Sequence, residues 1–259
     1  AGNFYYRPVY TASVEGCNLA DGTETSVNVV ADPTAPSLNT ATPNNESTVC
    51  LGGVVKATFI SGSGGTGCTD EYQYSVDGGG TWTNYTPGSN ITATTVGANA
   101  IQIQTRRPCS GVGCDGAGTN WAVKAQWTVV AKPSISISGA TAMCPGSSTI
   151  LLANALGGTG LATYQWQYYN GSSWVNVGTN SSSYTTDNLM SSTDFRCNYS
   201  TQGIGCTDAN SNTVTVTIHL PNTADLSSDD YVWYGAGSTN WSTASNWLKY
   251  DGTNFSTAS

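Results

Sequence analysis

The sequence predicts an all-β protein, a tandem and elongated array of immunoglobulin-like antiparallel β-sandwiches. Three observations carry this. Two long segments of the chain recur, without gaps, later in the same chain. Each recurring segment reads as short period-two strands separated by Gly, Asn, Asp and Ser turns about 8–12 residues apart. No ten-residue window carries the 3.6-residue apolar period of a helix, and strong helix formers are scarce.

The first recurrence explains the opening residues. RPVYTASVEGC (Arg7 to Cys17) aligns with RCNYSTQGIGC (Arg196 to Cys206) at a spacing of 189 residues. Arg, Tyr, Gly and Cys coincide. A turn and an alternating strand follow each, TSVNVVADP and NTVTVTIHLP. Residues 1–32 therefore read as the C-terminal half of a repeat, and the chain as beginning mid-domain. The second recurrence sets YQYSVDGGGTWTNY (Tyr72 to Tyr85) on YQWQYYNGSSWVNV (Tyr164 to Val177). DGGG and NGSS supply residue types that reach positive φ in tight hairpins. Cys-x-Gly lies upstream of both, in CLGG and CPGS. VVADP, VVAKP and TIHLP close the repeats, each with a proline where its missing N–H costs no ladder bond. The expected organisation is a half-repeat at 1–32, whole repeats at 33–132 and 133–220, and the start of a different β-domain at 221–259.

Within a repeat, alternation assigns the faces. Tyr164, Trp166 and Tyr168 share one side of a strand, and Gln165 and Gln167 the other. Trp166 takes the place of the core tryptophan on the third strand of an immunoglobulin sandwich, with Tyr74 as its counterpart. Trp82 and Trp174, which open the return strands, complete the expected core markers. On the penultimate strand Phe195, Cys197 and Tyr199 alternate inward.

Eight cysteines, with no C-x-x-C pair and only His219 as an imidazole, point to disulfides in an oxidising compartment rather than to zinc. The recurring cysteines are those of Cys-x-Gly and of the closing hairpin. They suggest Cys50–Cys114 and Cys144–Cys206, with Cys68–Cys109 as a further staple, Cys17 without a partner and Cys197 free. In a regular seven-stranded sandwich the two recurring positions lie at opposite ends, whereas a disulfide needs Cα atoms within about 7 Å. Two other arrangements therefore stay open: Cys144 with the inward Cys197, and a bond between cysteines of neighbouring repeats.

The series CPGSSTILLANA, YQWQYYNGSSWVNV, SYTTDNLMSSTDFRCNYS and GCTDANSNTVTVTI resembles the tandem immunoglobulin-like repeats of very large Bacteroidota cell-surface adhesins. VADPTAPSLNTATPNNESTVCLGG with GCTDEYQYSVDGG is similar to a second repeat type of the same proteins, and VWYGAGSTNWSTASNW to a motif that follows such arrays. The resemblance implies export, often by type IX secretion, and a place at the cell surface in adhesion, gliding motility or an extracellular filament. Residues 1–259 contain neither the sorting domain of such proteins nor the Asp-Ser/Thr-hydrophobic glycosylation site of that phylum.

Catalytic chemistry finds little support, so the expectation is a protein that is not an enzyme and holds no cofactor. His219 stands alone in a boundary strand, without a nucleophile motif. Asp70 with Glu71, and Asp229 with Asp230, are adjacent carboxylates, and adjacent residues on a strand face opposite ways. SGSGGTGC is Gly-rich but leads into no helix that could cradle phosphate. Asp32, Asp229 and Asp230 fall at repeat junctions, where calcium would stiffen a rod, although no Asp-x-Asp ligand series surrounds them. Trp233, Trp241 and Trp247 are either the core of the last domain or an exposed aromatic patch able to stack on sugars.

A net charge of -8, with 9% charged residues against roughly 25% in ordinary soluble domains, argues against nucleic acid. No apolar run reaches the roughly 18 residues of a membrane span. Three functions fit. One is a structural and adhesive segment whose partners are neighbouring repeats of a long chain, a surface polysaccharide or secretion machinery. Another is a filament subunit that self-associates by strand exchange. The last is the stalk or carbohydrate-binding part of a secreted enzyme.

Overall fold

A computed structural model describes residues 1–10, 20–111, 118–219, 226–233 and 240–258. Among these, all regular structure is β except one 3-10 turn at Ala244–Asn246. The described chain divides into two compact units. One contains residues 1–47 and 54–129, the other residues 48–53 and 130–259.

The first unit begins with an antiparallel ribbon of β1 (Gly2–Tyr6) and β2 (Thr25–Val29). Its register pairs Phe4 with Val27, Tyr5 with Ser26 and Tyr6 with Thr25. The later strands that align with it pair Thr193 with Val216, Asp194 with Thr215 and Phe195 with Val214. Every partner is displaced by the same 189 residues that separate the sequence repeats, so the two ribbons are equivalent in hydrogen bonding as well as in sequence. They differ in burial. Phe195 and Val216 are buried, whereas both faces of the first ribbon are exposed, Tyr6 at 61%.

A sandwich follows. One sheet runs β7-β4-β3, from β3 (Ser37–Thr42), β4 (Val54–Ile60) and β7 (Ile91–Thr92). The other contains the path β9-β8-β5-β6, from β5 (Glu71–Ser75), β6 (Thr83–Asn84), β8 (Gly97–Arg106) and β9 (Ala122–Val130). Alternation is plain in β8 and β9. Ile101, Ile103 and Thr105 are buried, as are Ala125, Trp127 and Val129, while the residues between them are not. Buried polar atoms are satisfied across the layers. Thr105 Oγ1 donates to the Pro36 carbonyl at 2.9 Å, and Trp127 Nε1 to the Pro43 carbonyl at 3.0 Å. The Tyr85 hydroxyl accepts the Ala57 N–H at 3.0 Å.

The second unit repeats this plan. One sheet runs β10-β12-β15, from β10 (Ser134–Ser138), β12 (Ile150–Leu156) and β15 (Ser183–Thr185). The other runs β11-β17-β16-β13-β14, from β11 (Ala142–Met143), β13 (Ala162–Tyr169), β14 (Trp174–Val177), β16 (Thr193–Thr201) and β17 (Val214–Ile218). β11 runs parallel to β17, and the other neighbours are antiparallel. Two facing antiparallel sheets in this order, with a short first-strand branch crossing to pair in parallel with the last strand, make an immunoglobulin-like sandwich. Its core joins Ile137 and Leu151 of one sheet to Trp166, Phe195, Cys197, Val214 and Val216 of the other. Asn212 pins the layers by accepting the Ile137 N–H at 2.8 Å and donating to the Ile137 carbonyl at 3.1 Å. A three-stranded sheet of β18 (Tyr231–Trp233), β19 (Trp247–Tyr250) and β20 (Phe255–Thr257) follows, with Leu248 and Asn246 fully buried.

The core markers fall in different places. Trp166 is fully buried and donates Nε1 to the Ser181 carbonyl at 2.9 Å. Tyr74 sits opposite the buried Ile103 and is half-buried, and so is Trp82. Trp174 departs from expectation. It pairs with Tyr169 on the face opposite Trp166, where the Arg196 guanidinium stacks 4.2 Å from its ring centroid. The reason is the short Asn170–Ser173 turn, which puts Trp174 in register one residue beyond the inward Tyr168. The fully buried tryptophan of the earlier sandwich is Trp127, on its last strand.

Candidate functional site

The paired carboxylates that sequence alone could offer to chemistry are engaged in ion pairs and hydrogen bonds. Arg107 Nη1 donates to Asp70 Oδ1 at 2.6 Å, and Asp70 Oδ2 accepts the Gly62 N–H at 3.0 Å. Glu71 pairs with Arg106 at 2.6 Å, Asp229 with Lys249 at 2.6 Å, and Asp230 accepts the Ser227 N–H at 2.6 Å. His219 is exposed, and its backbone N–H donates to the Met143 carbonyl. Among the described residues no three His, Cys, Asp or Glu side chains come together, so Asp32, Asp229 and Asp230 are not assembled as a calcium site.

What the structure does build lies at the starts of the repeats. Gly64 and Gly65 are left-handed, at φ 71° and 69°. Gly65 donates its N–H to the Ala31 carbonyl at 2.7 Å, and any Cβ at Gly64 would overlap the Asp32 carbonyl. In the second unit Gly157 and Gly158 are left-handed in the same way. Gly158 donates to the Ala131 carbonyl at 2.9 Å, and Gly157 is pressed against the Lys132 carbonyl. Ala31-Asp32-Pro33 and Ala131-Lys132-Pro133 are two of the repeat boundaries, and each is clasped by a glycine pair from the repeat that follows. The sequence signal was present: GGTG stands at both 64–67 and 157–160. The Gly-rich loop that leads to no phosphate site is this clasp. Arg107 and Asp70 brace the first copy, Arg107 Nε also donating to the Gly64 carbonyl at 3.3 Å.

The disulfides are placed around the same loops. Cys68–Cys109 forms as expected and closes the first clasp loop. Cys50–Cys114 and Cys144–Cys206 are replaced by Cys50–Cys206, with Cα atoms 5.0 Å apart. The bond between neighbouring repeats is thus the arrangement adopted. The backbone shows why: Cys50 donates its N–H to the Ile204 carbonyl at 2.8 Å, which seats the two turns on one another. Cys197 is buried and free, and Cys144 is exposed and free, so Cys144–Cys197 does not form either. Burial pushes the Cys197 thiol up to about 11. Cys17 and Cys114 lie outside the described residues.

The three tryptophans of the last sheet do come together. Trp233 and Trp241 stack with centroids 4.7 Å apart and planes 10° from parallel, and Trp247 meets both edge-on at 5.3 Å. Trp247 Nε1 donates to the Trp241 carbonyl at 2.9 Å. Trp241 is 65% exposed, so the cluster is half core and half surface. Beside it Tyr231, Ala244, Trp247 and Ala258 line an open, mainly apolar depression.

Comparison with known proteins adds a family match over one segment. Residues 134–220 match a family described as a domain of unknown function (DUF8696), which coincides with the second sandwich. No curated protein matches the chain. Among solved structures, a marsupial T cell receptor is 12% identical with a TM-score of 0.29, covering 76% of this chain and 75% of its own. The fibronectin(III)-like modules of Clostridium thermocellum CbhA are 13% identical with a TM-score of 0.27, covering 71% of this chain and 93% of theirs.

Proposed function

We propose that this chain is a non-enzymatic structural and adhesive segment of a large exported surface protein, of the Bacteroidota adhesin type that its motifs resemble. The observation that carries the reading is the repeated joint. The boundaries at Ala31–Pro33 and Ala131–Pro133 are each gripped by a Gly-Gly clasp, and one repeat's Cys-x-Gly turn is bonded to the closing hairpin of the next. Such investment in joints suits a load-bearing string of modules. Disulfides suit an oxidising, extracellular setting, and low charge lets surfaces approach without strong repulsion. Trp241 and its neighbours are the element best suited to a sugar ring. Antibody raised against residues 1–259 should label intact, unpermeabilised cells of the source organism, and deletion should weaken attachment or surface movement. Labelling only after permeabilisation would refute the reading.

A second reading, a filament subunit completed by strand exchange, is favoured by the first ribbon. Tyr6, Val27 and Val29 are exposed where their equivalents Phe195, Val216 and Ile218 are buried, and Phe4 and Tyr5 are exposed beside them. Unpaired strand edges recruit strands. Light scattering that shows a persistent monomer across concentration would count against it.

A further inference from the structure

The Cys50–Cys206 joint is a built docking site. Gly52 turns the chain at φ 86°, and the Gly53 N–H donates to the Cys50 carbonyl at 2.8 Å, closing the Cys50–Gly53 turn. The Ile204 carbonyl accepts the Cys50 N–H, and Gly205, at φ 77°, lies so close to Gly53 that a side chain on it would overlap backbone. Gly203-Ile204-Gly205-Cys206 therefore fits the Cys-x-Gly turn because Gly205 leaves room for Gly53, while Gly203 packs against Thr159 of its own repeat.

Cys144-Pro145-Gly146 repeats the receiving half. Gly146 has φ 75°, and the Ser147 N–H donates to the Cys144 carbonyl at 3.3 Å, so the same turn is already formed. Its thiol is exposed and unbonded, and the Cys144 N–H meets no acceptor among the described residues. These are the two groups that hold the hairpin at Cys50. The hairpin that follows Cys144 is the one bonded to Cys50, and no cysteine follows Cys206 within residues 1–259. One difference is visible. Ser147 stands where Gly53 does, which denies a docked hairpin the closest backbone approach.

We propose that Cys144 is a covalent coupling site that receives the Gly-x-Gly-Cys hairpin of another immunoglobulin-like repeat. The disulfide of a Cys-x-Gly turn then runs from repeat to repeat, whereas Cys68–Cys109 stays within one. The coupling is thiol–disulfide exchange. The Cys144 thiolate attacks one sulfur of an oxidant disulfide and releases a thiolate. The hairpin thiolate then attacks the mixed disulfide and releases the second, so two thiols are oxidised as one disulfide is reduced to two thiols. The inference rests on the repeat reading above but not on adhesion.

The test uses the 259-residue protein and a probe peptide of its own hairpin, Thr201–Ser211, activated at cysteine as a 2-thiopyridyl disulfide. Mass spectrometry of Cys144 peptides should show coupling at least about tenfold faster than with a peptide whose two glycines are alanine. Ser147→Gly should quicken coupling further, and Cys144→Ser should abolish it. Equal rates for the two peptides would overturn the proposal. In a second arm the protein alone is held in glutathione redox buffer. A covalent dimer through Cys144 and Cys114, the cysteine of the other Gly-x-Gly-Cys sequence at 111–114, identifies a second copy as the source; a monomer that still couples the peptide selectively places the hairpin on a further repeat. Recovery of Cys50–Cys206 with unselective Cys144 sinks only the coupling, whereas absence of Cys50–Cys206 sinks the repeat joint itself.

Discussion

Cys197 and Cys144 are the two described thiols without partners, and their surroundings set opposite fates. Cys197 lies between Trp166 and Phe195 in the core, where burial disfavours the thiolate and raises its pKa to about 11. At neutral pH it should stay unmodified by iodoacetamide in the folded protein, while Cys144 is alkylated; peptide mapping before and after denaturation checks this. Trp166 fills the centre of the same core, and its indole N–H satisfies the Ser181 carbonyl. Trp166→Ala should cost roughly 3–5 kcal/mol in urea unfolding. Asp77 has its carboxyl held down at about 2 by the hydroxyl of Ser75 and by the backbone N–H and hydroxyl of Thr81. A depressed acid pKa stabilises above the unfolded value of 3.8 and loses that effect as pH falls toward 2. Amide signals of Gly79 and Thr81 should shift in that window by NMR, and Asp77→Asn should remove the transition.

At the scale of elements, the hairpins show how local chemistry sets register. The Asn170–Ser173 turn is tight because Asn170 Oδ1 accepts the Ser172 and Ser173 N–H groups, at 3.0 and 2.9 Å. The aligned hairpin turns more widely around Asp77, and pairs Tyr74 with Thr83 rather than with Tyr85, the residue that aligns with the Val177 opposite Trp166. The shift is two residues, so the faces are kept. The glycine clasps are elements of a second kind. Gly157→Ala would place a methyl against the Lys132 carbonyl in a left-handed conformation, a change on the order of 2 kcal/mol or more. Urea unfolding should show the loss, and limited proteolysis near residues 131–133 should quicken.

Across the molecule, Cys50–Cys206 closes the longest loop of the chain's described disulfides, with a sequence separation of 156. Replacing both with serine should destabilise the unit containing residues 48–53 and 130–259 by about 2–5 kcal/mol, read by denaturant unfolding. Cys68→Ser with Cys109→Ser should instead loosen residues 62–70, visible as faster amide exchange at Gly65.

Much of the fold was legible because it is local. Side-chain alternation along Phe195, Cys197 and Tyr199 follows from strand geometry, and the 189-residue recurrence reappears as identical strand register. The inward Trp166 was readable on the same grounds, whereas Cys68–Cys109 followed only from setting the recurring cysteines aside. Trp174 was misplaced because its face depends on how many residues the preceding turn consumes. Trp127 was missed because its strand was read as a boundary rather than as a core wall. The joints needed more than pattern. GGTG and Cys-x-Gly are present in the sequence, but which carbonyl a glycine grips, and which of several cysteines a thiol meets, depend on loops distant in sequence meeting in space. Period and composition by themselves determined two-layer sheets and their repetition; only the packed chain decided that Cys50 would seek Cys206, because disulfide choice is a matter of Cα separation and backbone seating, which no one-dimensional spacing encodes.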